Sequence, residues 1–469
     1  MPMRVRRSAF LFSVLPILVA GPVAAQAGGS PIPESTRAAA DRLLDAALAD
    51  TGAYARLGEL VDRFGPRLSG TPNLERAIDW VLGEMKKDGL ENVHGEPVRV
   101  PHWVRGEESA DLVEPRPYRL HMLGLGGSIG TPAGGITAKV LVVSSFDELE
   151  RKAADAKGKI VLFDVPFTSY GETVRYRSGG ATAAAKAGAV ASLIRSVSSF
   201  SMQNVHTGAM RYDSTTPRIP HAAISVEDAM MLHRMQDRGD PVVVKLVMGA
   251  KTLPDALSRN VVAELRGSEK PDEVVVMGGH IDSWDVGQGA MDDGGGVVAA
   301  WEAVRLMKRL GLRPRRTVRV VAWTNEENGT AGGRGYAAAH AAEIPNHVLA
   351  IESDGGVFKP LGFGFTGPDA GLPLAQAIGK LLDRIGAGTV HRGEGGADIA
   401  ALVQRGVPGM GLEVDGSRYF WYHHSAADTL DKLDPHELAQ CVATMAVMAF
   451  VAADIPDRLP AGAPAAATP

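Results

Sequence analysis

Cysteine is nearly absent: the 469-residue chain has one, Cys441. No disulfide can therefore close within it, and a lipid-bearing cysteine at an export cleavage site is excluded by its position. Basic charge is also scarce. Lys and Arg number 49 against 54 Asp and Glu, for a formal charge of −5; the first 27 residues carry Arg4, Arg6 and Arg7 and no acid, so the remainder sits near −8. Nothing in that balance suggests a nucleic-acid partner, and none is expected. After the N-terminus no segment reads as long and apolar enough to cross a bilayer, which argues against integral membrane association. Without staples the fold must rest on apolar burial, and at 45% hydrophobic and 22% charged the chain is long enough for two domains with a core each.

What is present begins with MPMRVRRSAFLFSVLPILVAGPVAAQA, a basic start, a short apolar run and small residues at Ala25 and Ala27. Residues 1–27 are predicted to be a cleaved export signal rather than a membrane anchor, because Pro16 interrupts a run already short of the roughly 20 residues a span needs. The mature protein is expected to be periplasmic or secreted. Cys441 falls in the helical pattern HELAQCVATMAVMAF and reads as a core thiol.

Residues 28–117 begin with helical segments, STRAAADRLLDAALAD, YARLGELVDRF and NLERAIDWVLGEMKKDGL, and a propeptide at their start is left open. Residues 118–252 change to short β-rich runs (AKVLVVSS, GKIVLFDV, AVASLIRS, HAAISV, PVVVKLVM) and read as an inserted module. Residues 253–455 alternate apolar strands with amphipathic helices, as in a largely parallel sheet covered on both faces. Residues 456–469, PDRLPAGAPAAATP, are predicted to be disordered.

Carboxylates and imidazoles gather where those strands end, the place open α/β sheets keep for function. His280 and Asp282 follow VVVMGG, Asp292 follows a glycine turn, Glu326 and Glu327 follow VVAWTN, Asp354 follows LAIES, and His424 lies beyond GMGLEV. Two imidazoles with several carboxylates and no thiolate suit zinc, or cobalt or manganese, in a catalytic site. Two ions about 3.5–4 Å apart need a bridging carboxylate, a carboxylate and an imidazole each, and water between them. His280, Asp292, Glu327, Asp354 and His424 fill those places. Glu326 is left as the general acid/base, and Asp282 is placed to hydrogen-bond the His280 ring. Gly287, Gly289, Gly294, Gly295 and Gly296 would let backbone approach the ions and take positive φ.

GGHIDSWDVGQGAMDDGGG, WTNEENG, IESDGG and YFWYHHSAADT resemble the co-catalytic zinc aminopeptidase family, with the similarity running from about Gly65 to Ile455; GPRLSGTP and GGSIGTPAGGITAKVLVV are similar as well. The resemblance implies an α/β zinc-exopeptidase fold, a mostly parallel mixed sheet between helices, with an inserted β-rich protease-associated domain. It implies two zinc ions per chain: His280 and Asp354 on one, Glu327 and His424 on the other, Asp292 between them, with Glu326 moving the proton. It selects His424 over His423, because the family's histidine precedes the aspartate of a DT pair, here Asp428-Thr429, by four residues. His423, Tyr419 and Tyr422 become candidates to contact substrate. Peptide substrates and a homodimer are also implied. No ligand is missing, unlike in relatives that kept the fold and lost the metals, and two metal sets distinguish the chain from the single-zinc glutaminyl cyclases.

Two other signals lead elsewhere. Gly126-Gly127-Ser128-Ile129-Gly130 fits a nucleophile elbow, but Thr131 to Gly135 forbids the helix that motif needs. Asn328-Gly329-Thr330 fits a glycosylation acceptor, but a glycan beside Glu327 would obstruct the site, so Asn328 is expected to be unmodified. The expected activity is hydrolysis of dipeptides or short peptides with a free N-terminus. A glutamate-releasing carboxypeptidase, another amidohydrolase and a metal-free binding protein are the alternatives.

Overall fold

Apolar residues three and four apart give each N-terminal segment one face for the core. In the computed structural model, which describes residues 31–464, these segments are the helices Glu34–Ala49, Gly52–Phe64 and Pro72–Lys87. Thr71 caps the third by accepting a hydrogen bond from the Leu74 N–H, and Pro72 starts it where no donor is needed. The predicted export signal lies outside the described residues.

Eight strands form the first sheet, in the order Glu91–Val104, Lys251–Leu265, Arg316–Trp323, Lys270–His280, His347–Glu352, Gly409–Val414, Pro360–Thr366, Thr389–Arg392. The central pairs Arg316–Trp323 with Lys270–His280, Lys270–His280 with His347–Glu352, and His347–Glu352 with Gly409–Val414 are parallel. Antiparallel pairs flank them. The sheet is thus mixed, with one more parallel pair, Pro360–Thr366 with Thr389–Arg392, at its edge. Arg316–Trp323 and His347–Glu352 are buried along their whole length, as strands covered on both faces must be. Alternate residues serve opposite cores. Val275, Met277, Val318 and Val320 meet the N-terminal helices with Gly295–Arg309 and Pro435–Asp454. Val274, Val276, Val321 and Trp323 meet Tyr336, Ala337 and Leu402 on the other face.

Two long strands were not legible in the sequence. Glu91–Val104 and Lys251–Leu265 pair antiparallel, His94 opposite Val262 and Trp103 opposite Thr252, and the chain leaves the first sheet on one and returns on the other. Glu91–Val104 contains Gly95, Pro97 and Pro101 and lacks a continuous apolar run, a composition tolerated at a sheet edge.

Between them a second eight-stranded sheet forms in the order Tyr118–Leu120, Glu108–Glu114, Val243–Met248, Ile136–Val143, Ile160–Phe163, Ala191–Arg195, His221–Ile224, Met122–Gly124. Helices Tyr170–Lys186 and Val226–Asp237 pack against it, and it has apolar clusters on both faces. The boundary expected at residue 118 is too late. Glu108–Glu114 already belongs to this sheet, paired with Val243–Met248, and its half-exposed alternation ESADLVE conceals a pairing made across more than a hundred residues.

Two further expectations need correction. Helix Pro435–Asp454 is long and apolar enough to cross a membrane, with a mean hydropathy of 1.4 over its best window, but 83% of that window is buried inside the protein. Its apolar faces are covered by the sheet and by the helices Glu34–Ala49 and Gly295–Arg309 rather than by lipid. The start of the tail expected to be disordered is docked: Leu459 is buried, the Gly462 N–H donates to the Gly406 carbonyl at 2.8 Å, and Arg316 donates to the carbonyls of Ile455 and Pro456. Pro and Ala richness hid one apolar anchor and a buried guanidinium that needs acceptors. Cys441 is buried, its thiol donating to the Phe358 carbonyl at 3.1 Å.

Candidate metal centre

Four neighbouring parallel strands end side by side, so the residues just past their ends converge. His280 is opposite Trp323, Gly278 opposite Glu352, and Glu352 opposite Gly411. His280 closes Lys270–His280, Glu326 and Glu327 follow Arg316–Trp323, and Asp354 follows His347–Glu352. His424 follows the short helix Tyr419–Tyr422, beyond Gly409–Val414. Asp292 precedes helix Gly295–Arg309, and its peptide bond to Asp293 is cis.

The five predicted ligands form one cluster. His280 Nε2 lies 3.2 Å from Asp354 Oδ1 and 3.2 Å from Asp292 Oδ1. His424 Nε2 lies 2.9 Å from Glu327 Oε2 and 3.4 Å from Asp292 Oδ2. Asp292 therefore turns one oxygen to each imidazole. His423 stacks on His424 with ring centroids 3.5 Å apart, and its Nε2 is 3.7 Å from Asp292 Oδ2, but the contact to Glu327 belongs to His424.

The donor set fits divalent cations. Asp292 Oδ2 is buried and accepts no hydrogen bond from the chain, an arrangement that costs free energy unless a cation takes the place of a donor. Burial and Asp354 push Glu326 up to about 8, and burial with Asp292 drives Glu327 well above the usual carboxylate range. Burial lowers His280, but Asp354 and Asp292 more than offset it and hold the imidazole well above its ordinary value. Burial, then His423, holds His424 well below its own. Crowded carboxylates that resist ionisation lack positive charge, and bound metal ions supply it.

Asp282 differs in detail from its expected role. Its carboxylate accepts from the Glu326 N–H at 3.0 Å and from Ser69 Oγ at 3.3 Å, and lies 3.7 Å from His280 Nδ1. The hydrogen-bond partner of Nδ1 is instead the Asp282 carbonyl, at 3.0 Å. Asp282 thus also fixes the start of the Glu326-Glu327 turn.

Tyr419 and Tyr422 part company. Tyr419 stacks near His423 at 5.0 Å, and burial followed by Asp292 and Asp354 drives its hydroxyl far above its ordinary pKa. Tyr422, which like Tyr419 packs against the main core, is set against Trp421, and its carbonyl accepts from Ser425. Of the glycines, Gly287 and Gly289 have φ of 70° and 59°; Gly294 to Gly296 are close-packed instead, a Cβ on Gly296 falling 2.0 Å from the Ser353 carbonyl oxygen.

Several supporting residues escaped prediction. Asp428, used only as a spacing marker, accepts from the N–H groups of Ala290 at 3.0 Å, Met291 at 2.7 Å and Asp292 at 3.2 Å. Asp293 accepts from the His280 N–H and from Gly296 N–H, both at 3.0 Å. Arg67, fully buried, donates to the carbonyls of Ile281, Gln288 and Gly289. Arg67 and Ser69 belong to GPRLSGTP, so a signal existed. His206 and Arg177 reach the site from the second sheet's domain, and nothing in the sequence flagged them.

Ser128 is fully buried, its hydroxyl donating to the Ile129 carbonyl and accepting from the His221 N–H at 2.8 Å, and no helix follows it. Asn328 lines a cleft of about 380 Å³ with Glu326, Glu327, Trp103, Arg211 and Arg334. That cleft opens beside the proposed acid/base.

Residues 260–449 match the model of peptidase family M28. Carboxypeptidase Q from Mus musculus is 52% identical over 407 residues, covering 87% of each chain. A crystal structure of a peptidase M28 precursor from Shewanella amazonensis SB2B is 37% identical, with a TM-score of 0.88 over 91% of this chain and 98% of that one. A zinc aminopeptidase from Bacillus subtilis, at 20% identity, shares the fold, with a TM-score of 0.65 over 86% of this chain and 94% of that one. With buried imidazoles and carboxylates converging at the strand ends, these similarities lead to one conclusion: the chain belongs to peptidase family M28 and is a zinc-dependent metallopeptidase.

Proposed function

We propose that the protein is an exported exopeptidase using two zinc ions to hydrolyse dipeptides or short peptides with a free N-terminus. The observation that carries this reading is Asp292, one oxygen toward His280 and Asp354 and the other toward His424 and Glu327. In this reading His280 and Asp354 hold one ion, His424 and Glu327 the second, and Asp292 is shared. Zinc held there would supply a Lewis acid for the scissile carbonyl and make water acidic enough to act as nucleophile near neutral pH. Glu326 would take a proton from the attacking water and return it to the leaving amine, a role suited to the one carboxylate of the Glu326-Glu327 pair that this reading leaves off the metals. Tyr419 faces the same charges and is the tyrosine proposed to contact the substrate carbonyl.

A second reading, release of a C-terminal residue, draws support from Arg211 and Arg334, whose cationic side chains line the cleft beside Glu326 where a free carboxylate could dock. The carboxypeptidase name of the relatives points the same way. The second sheet and its helices are proposed to be a protease-associated domain, and the assembly a homodimer, which light scattering of the purified protein checks.

The test is zinc content per chain with hydrolysis of free and N-acetylated dipeptides, before and after chelation. Two ions, chelator-sensitive cleavage and loss of the acetylated substrates are expected. Retained cleavage of acetylated dipeptides would select the C-terminal reading. Folded protein that takes up fewer than two ions and cleaves nothing would overturn both.

A further inference from the structure

The loop bearing His424 is built between two domains. His424 itself has φ of 59°, a region that side chains other than glycine seldom occupy, so the backbone needs neighbours that hold it there. Those neighbours come largely from residues 198–207 of the inserted domain. Ser198 Oγ donates to the Phe420 carbonyl at 2.8 Å. Asn204 Nδ2 donates to Ser425 Oγ at 2.8 Å and to the Trp421 carbonyl at 3.3 Å. His206 Nδ1 donates to the His423 carbonyl at 2.5 Å, and the Thr207 N–H donates to the His424 carbonyl at 2.9 Å. His206 and Ser425 form an isolated antiparallel bridge, and Tyr170 stacks on Phe420 at 5.0 Å. Arg177 Nη1 lies 3.3 Å from His424 Nδ1, so the insert touches the ring as well as the backbone.

The other half of the centre has no such dependence. His280 ends a central strand and is tied to Asp293 and Asp282, while Asp292 is held by Asp428. Among the described residues, no hydrogen bond from the insert reaches His280 or Asp354.

We propose that the inserted domain completes the second of the two metal positions, with Asn204 and His206 as positioning residues that set His424 opposite Glu327 and Asp292. This rests on the two-ion reading above. The insert is then a part of the metal centre rather than a cover over it, and its displacement would empty one position while leaving the other filled. His206 suits this role because it is buried between the domains and gives Nδ1–H to the His423 carbonyl, while its Nε2 faces Asn204 Nδ2 at 3.4 Å.

Zinc affinities of the full chain, measured by competition with a chelating indicator, test this. Wild type is compared with Glu327→Ala as the benchmark for loss of the second position, and with His206→Phe, Asn204→Ala and His206→Asn. His206→Phe and Asn204→Ala are expected to bind the first ion as wild type does and the second about 10- to 100-fold more weakly, the usual effect of losing a residue that orients a ligand. His206→Asn, which keeps a donor near the place of Nδ1, should restore most of that affinity. Asn204→Ala serves alone if His206→Phe does not fold. Two wild-type affinities in Asn204→Ala, or equal weakening of both ions, would overturn the proposal. Wild type binding a single ion would overturn the two-ion reading and this inference with it.

Discussion

Asp428 offers the sharpest test of how the centre is held. Its carboxylate is buried and accepts three backbone hydrogen bonds, from Ala290 and Met291 on Oδ1 and from Asp292 on Oδ2, which shape the turn delivering the shared carboxylate. Asp428→Ala leaves three buried N–H groups without an acceptor. At about 1–2 kcal/mol for each unsatisfied donor, the loss is about 3–6 kcal/mol, a large part of the roughly 5–15 kcal/mol that holds a typical protein folded. At about 2 °C per kcal/mol for a chain this long, the melting temperature should fall by roughly 6–12 °C. Asp428→Asn keeps the oxygen that serves two donors and sets an amide against the third, so its loss should be about 1–3 kcal/mol. The assay is thermal and urea unfolding of the zinc-loaded and chelated proteins, with zinc content measured in parallel. The order wild type, Asn, Ala is expected in both states, because the three bonds need no metal. If Asp428→Ala matched wild type within about 0.5 kcal/mol after chelation, the size of an ordinary surface change, the carboxylate would not hold the turn as described.

Other consequences follow from the same contacts. Glu326→Gln should keep the zinc content of wild type and lower turnover by about 10²- to 10⁴-fold, the range for a lost general acid/base; activity within threefold of wild type would remove Glu326 from its role. Ser128→Ala should cost about 1–3 kcal/mol of stability, since the buried His221 N–H loses its acceptor, and leave turnover unchanged, so a large loss of activity would revive the nucleophile-elbow reading. Burial pushes His221 down to about 4, against the opposing pull of the Ser192, Tyr176 and Arg177 carbonyls, which face its ring nitrogens and favour the protonated form. The folded state prefers neutral His221, so this contribution is complete above pH about 6.5 and declines as pH falls toward 4, by about 1.4 kcal/mol per pH unit. Urea unfolding between pH 7 and 4.5 should show His221→Gln losing less stability per pH unit than wild type, and parallel curves would refute the assignment.

Much of the centre was legible because strand ends carry their own mark. His280, Glu326, Glu327 and Asp354 each follow an apolar run, and parallel pairing obliges those ends to meet. The central strands and the N-terminal helices were visible for a similar reason, since buried strands and amphipathic helices impose a local period on the sequence. The ribbon of Glu91–Val104 and Lys251–Leu265 was not visible, because prolines and exposed polar residues remove the period at a sheet edge. Glu108–Glu114 was placed outside the β-rich module, although it pairs with Tyr118–Leu120 and Val243–Met248 of the second sheet, because the latter partner lies more than a hundred residues away.

By itself the sequence determined the types and order of the candidate ligands and the strands most of them follow, since each depends on residues close in the chain. Only the tertiary structure decided which groups support them. Asp428 grips the Ala290 to Asp292 turn from 136 to 138 residues away, and His206 reaches the His423 carbonyl across 217. Contacts over such separations leave no local period or spacing. They are fixed when the two sheets and the loops between them pack, and a buried carboxylate or imidazole must then take whatever donor or acceptor that packing supplies.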